Sequence, residues 1–212
     1  MSELRLAYPA CMLVEKTEIT AADVQLMGNR MFQNGLNRKN DVVTLLAIEH
    51  SNSKKSKEWD AYFVEVLSNH VRAMADVSGT LPLAATQWVR SMFCRGGIVA
   101  SRNEFRVMVE VIEELRKGCP ELATFALEQI HYAVTEGEGP LARSRKGIWA
   151  TISMDQLVFI NRILVALGNP EPFSISDAEA LFDPAQNLYN DRQATAWGEL
   201  VATLTRPEAI AA

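Results

Sequence analysis

The run Ser153-Met154-Asp155-Gln156-Leu157-Val158-Phe159-Ile160-Asn161-Arg162-Ile163-Leu164-Val165-Ala166-Leu167-Gly168 reads as one capped helix with a glycine stop. Ser153 suits the N-cap, and Gln156 three residues on completes a pattern close to the capping box. Gly168 stands where a chain leaves a helix through a left-handed turn. The same frame recurs twice upstream, with Gly35 and Gly96 as the registers and Thr20 and Leu81 in the place of Ser153. Thr20 has Asp23 as its capping acid. In the middle copy Pro82 suits a first helical position and Thr80 the cap.

Between cap and glycine the apolar residues superpose. Val24, Ala85 and Leu157 align, as do Met27, Trp88 and Ile160; Met31, Met92 and Leu164; and Phe32, Phe93 and Val165. Offsets of three and four predict one buried helical face. A second signal follows each glycine. Ser101-Arg102-Asn103-Glu104 and Ser176-Asp177-Ala178-Glu179 read as capping boxes, and Asn40-Asp41 takes that place in the first copy. Farther on, Trp59, Leu122 and Trp197 share one offset from Asp41, Glu104 and Glu179, and each opens an apolar pattern. These are Tyr62, Phe63, Val66 and Leu67; Phe125, Ala126 and Ile130; and Leu200, Val201 and Leu204.

The pattern predicts an all-α protein of three diverged helical repeats, about three helices each, packed as one compact or solenoid-like array. Helices are expected near 21–34, 40–50 and 57–75, then 82–95, 102–117 and 120–136, then 154–167, 177–182 and 194–205. Linkers fall at 76–81 and 136–150, where Gly79, Gly137, Gly139 and Pro140 interrupt the periodicity. The expected division is 1–80 (an N-terminal extension plus the first unit), 81–150 and 151–212. No segment alternates with period two for long enough to suggest a sheet.

Composition narrows the function classes. The 212 residues are 48% hydrophobic and 22% charged, the balance of an ordinary globular protein. A net charge of -5 disfavours a nucleic-acid binder, which needs a basic face to displace counterions. No stretch reaches the ~20 apolar residues of a membrane-spanning helix, and residues 1–16 lack a basic start with a sustained apolar run. No membrane insertion is expected. Cys11, Cys94 and Cys119 form no Cys-x-x-Cys pair, which suggests neither a zinc site nor a disulfide framework, and a reducing, cytoplasmic setting.

No motif for chemistry stands out. There is no Gly-x-Gly-x-x-Gly, Walker-type loop or Gly-x-Ser-x-Gly, and His50, His70 and His131 lack a His-x-x-x-His spacing. Cys94 with a histidine could form a nucleophile and base, but spacing supplies no geometry for it. The aligned acids Asp41, Glu104 and Glu179 could converge on a cation. Capping explains the two glutamates more simply, because a Glu at the third helical position bonds back to the cap residue and favours the dipole. Catalytic, cofactor and metal residues are therefore assigned to none. Trp59, Trp88 and Trp197 are expected in the core, and Trp149 as a staple of its linker. Arg90 and Arg162 align off the apolar stripe and suit bonding to carbonyls at the helix end or pairing with a carboxylate of a neighbouring helix. Two basic runs in expected loops, Lys54, Lys55 and Lys57, then Arg143, Arg145 and Lys146, are the candidate docking residues for an acidic protein partner.

The segment Gly96-Gly97-Ile98-Val99-Ala100-Ser101-Arg102-Asn103-Glu104, with the apolar helix after it, resembles part of the TerB-like family linked to tellurite resistance. Ser174-Ile175-Ser176-Asp177-Ala178-Glu179-Ala180-Leu181-Phe182 resembles it more loosely. In that family a glycine turn, a small apolar residue and a capping acid join two helices of an all-helical domain. An acidic residue before the turn glycine is proposed there for metal binding; Asn34, Arg95 and Leu167 hold those places here. The resemblance thus implies helical architecture and carries over no site residue. Repeated helical units without catalytic motifs lead to the expectation of a non-enzymatic interaction or regulatory module, with partner binding or self-association. A metal- or small-ligand-binding stress protein is the alternative, and an enzyme of unknown chemistry comes third.

Overall fold

The computed structural model describes residues 8–37, 39–142, 152–169, 173–174 and 176–177. Among these the protein is all-α, with eight α-helices and two minimal two-stranded pairings. The chain forms two compact units, Met1–Ala73 and Met74–Ala212.

In the first unit, α1 (Tyr8–Val14) packs on α3 (Lys39–Glu49), and α2 (Ala21–Leu26) on α4 (Lys57–Arg72). Thr20 and Asp23 form the expected capping box, each side chain bonding the other's backbone N–H. The expected helix 21–34 does not run as one α-helix. Met27–Met31 widens into a π-turn, with the Phe32 N–H donating to the Met27 carbonyl at 2.9 Å. Ser56 caps α4 through the Trp59 N–H. Trp59 is wholly buried beside Phe63, and its Nε1 donates to Glu49 Oε2 at 2.6 Å. Leu45, Ile48, Leu67 and Val71 complete this core.

The chain also pairs Glu18–Ile19 (β1) in parallel with Lys54–Lys55 (β2), a contact that period-two counting over longer windows misses. Ser53 Oγ fastens the crossing by donating to the Lys16 carbonyl at 2.6 Å.

In the second unit, α5 (Leu83–Phe93) starts from Pro82, which occupies the N-cap; Thr80 does not. Thr80 instead joins a turn closed by Asp76, whose Oδ1 accepts from the Ser78 and Thr80 N–H groups. A tight hairpin, β3 (Cys94–Arg95) and β4 (Ile98–Val99), follows around Gly96-Gly97. The expected helix therefore ends before Cys94. Next come α6 (Arg102–Leu115), a 3-10 turn at Arg116–Gly118, α7 (Pro120–Thr135) and α8 (Met154–Ala166). α6 packs on α7 and α8, and α7 also on α5 and α8. Phe105, Met108, Ile112, Leu122, Ile130, Ile160 and Ile163 fill the space between them.

All three register glycines have positive φ, but in three settings. Gly35 follows the π-turn and bonds back to the Phe32 carbonyl. Gly96 shapes the hairpin. Only Gly168 closes a helix by the Schellman pattern, its N–H reaching the Val165 carbonyl while the Asn169 N–H reaches Leu164. The third-copy cap also differs from expectation. Ser174 and Asp177 bond reciprocally, Ser174 N–H to Asp177 Oδ2 at 2.9 Å and Asp177 N–H to Ser174 Oγ at 3.2 Å. Glu179, the expected helix 194–205, Trp149 and Trp197 lie outside the described residues.

Candidate interaction surface

α8 carries apolar residues on more than one side, so packing on its neighbours does not bury all of them. Gln156, Leu157, Phe159, Ile160, Ile163 and Leu164 turn inward. Met154, Val158 and Val165 remain 62%, 51% and 63% exposed. Their offsets of four and seven place all three on one outward stripe, with Asn161 between them. Val165, which the aligned stripe predicts to be buried with Phe32 and Phe93, is therefore a correction. It lies on the far side of the helix from Ile160 and Ile163. Met31 and Met92 of that pattern are only half-buried.

Beside the stripe runs a groove of about 530 Å³ lined by Glu113, Arg116, Val158, Asn161, Arg162, Val165 and Ala166. One wall is the end of α6 and the other the outer side of α8. Arg162 holds the walls together. Its Nε donates to Glu113 Oε1 at 2.6 Å, and one terminal nitrogen reaches Glu113 Oε2 and, at 3.3 Å, Glu110 Oε2. The bonds from Glu113 raise the guanidinium above the usual arginine range, against the opposing pull of burial. Arg162 thus takes the second of the two roles the sequence suits it to, pairing with carboxylates of a neighbouring helix. Arg90, its counterpart, lies instead over the Phe125 ring at 4.5 Å. Asn161 fixes the chain after α8, donating to the Phe173 carbonyl and accepting from its N–H. Arg116 is exposed at the groove's end, at φ +50°.

The sequence-predicted docking residues divide. Lys54 is 80% exposed at its side chain and stands 3.9 Å from Glu18. Lys57 is exposed at the first turn of α4. Lys55 is turned inward: its ammonium donates to the Ser51 and Ser53 carbonyls at 2.9 and 2.8 Å, and burial lowers its pKa. Lys54 and Lys55 also sit in β2 rather than in an open loop. Arg143, Arg145 and Lys146 lie outside the described residues.

Burial shifts the thiols of Cys94 and Cys119 and the imidazoles of His70 and His131. Burial and the charge of Glu104 push the Cys94 thiol up to about 11, with Arg90 opposing. Burial and Glu121 push Cys119 up to about 12. Thiols shifted this way are poor nucleophiles near neutrality. Burial lowers both His70 and His131. Glu104 is fully buried; its N–H bonds the Ser101 cap at 3.1 Å. Among the described residues no group of three or more His, Cys, Asp or Glu is placed to hold a metal ion, and no helix is long and apolar enough to cross a membrane.

No family model, curated protein or solved structure matches this chain. The surface must therefore be read from its own geometry. Sequence reasoning missed the α8 stripe although its signal was present. Met154, Val158 and Val165 share a face, but a helix with apolar residues on more than one side does not announce which side is outward.

Proposed function

We propose that this protein is a non-enzymatic interaction module whose docking surface is the outer face of α8, and that its partner presents an amphipathic helix carrying a carboxylate. The exposed Met154–Val158–Val165 stripe beside the groove carries this reading. Apolar anchors at helical spacing suit a helix laid in a groove. Arg116 supplies an exposed positive charge at the groove's end, whereas Arg162 is already bound to Glu113 and Glu110. Exposed Lys54 and Lys57, with Arg143, Arg145 and Lys146 read from the sequence, extend the proposal as steering charges for an acidic partner.

The three-repeat organisation with boundaries near 80 and 150 belongs to this reading. The matching capping boxes at Thr20 and Ser153 support it. Cytoplasmic residence is part of the same proposal, resting on three cysteines without a disulfide partner.

The test is site-specific photocrosslinking from position 158 of the full chain, at low salt, repeated with Val165→Lys in the same chain. A specific adduct with a helical segment of the partner is expected. Val165→Lys should abolish it while leaving the circular dichroism and the melting temperature unchanged, because the valine is exposed. No adduct, or one indifferent to Val165→Lys, would overturn the proposal. An adduct between two copies of this chain would make self-association the function of the stripe instead.

The second reading, a metal- or small-ligand-binding protein of TerB-like type, rests on the resemblance of the Gly96–Glu104 segment. A ligand at about a hundred times its dissociation constant stabilises by ~2.7 kcal/mol. Thermal-shift curves that stay flat across divalent cations and oxyanions would remove this reading.

A further inference from the structure

We draw no further inference here: the strongest candidate, the polar dish beside the π-turn of the first unit lined by Arg30, Gln33, Asn34, Asn37 and Asp41, has only exposed or half-buried polar side chains around it, and nothing in the structure shows what would fill it.

Discussion

Asp23 sits among three donors. Burial alone would raise its pKa, but hydrogen bonds from Lys16 and from the Thr20 backbone and hydroxyl outweigh that and hold it below the usual 3.8. A carboxyl lowered on folding contributes stability above its unfolded pKa and loses it as pH falls through the folded value. Asp23→Asn should therefore cost about 1 kcal/mol at neutral pH, the scale of a lost helix cap. It should also flatten the loss of stability below pH 4. Urea midpoints at pH 7 and pH 3 test both. Gly118 is a different kind of constraint. Its carbonyl accepts from the Leu81 N–H at 2.7 Å, and a Cβ there would stand 2.2 Å from the Gly79 carbonyl oxygen. Backbone cannot rotate aside as a side chain can, so Gly118→Ala should destabilise by about 1–3 kcal/mol, the usual cost of overpacking. An unchanged denaturation midpoint would contradict that close approach.

Among the elements, the hairpin β3–β4 is too short to stand alone. Gln129 of α7 clamps it, accepting from the Val99 N–H at 2.9 Å and donating to the Gly97 carbonyl at 3.1 Å. Gln129→Ala should cost on the order of 1 kcal/mol for each bond lost. It should also speed exchange of the Val99 amide relative to amides in α6, which hydrogen-exchange mass spectrometry would read directly. The elements also show where sequence carries information. Helices α4, α6 and α8 fall within a few residues of expectation because the caps at Ser56, Ser101 and Ser153 are local signals, as is Pro120 at the start of α7. The β1–β2 pairing joins residues far apart in the chain through two residues each, so no window contains it. The π-turn depends on one shifted hydrogen bond, which leaves no compositional mark.

At the scale of the molecule, a half-buried histidine lies in each compact unit, His70 in the first and His131 in the second. Burial holds both below the ordinary 6.5; Leu36 and Asp41 oppose it at His70, and Glu136 at His131. A lowered histidine favours the folded state above its unfolded pKa, and that contribution disappears as pH falls through the folded value. The protein should lose stability on acidification from about pH 7 to pH 5, before the carboxylates titrate. Replacing both histidines with glutamine should flatten that part of the profile, measured as urea midpoint against pH; a profile already flat in the native chain would contradict the assignment. The candidate site was less legible than the fold. Lys55 reads as loop charge until its ammonium is found bonded to Ser51 and Ser53, and Val165 reads as core because neighbouring positions of an apolar helix look alike.

Apolar residues on both its inner and outer sides give α8 no strong rotational preference. Arg162 supplies one by fixing α8's azimuth against two acids one turn apart on α6. Exchanging that cation for leucine would free the rod to roll, and different side chains would then face the water.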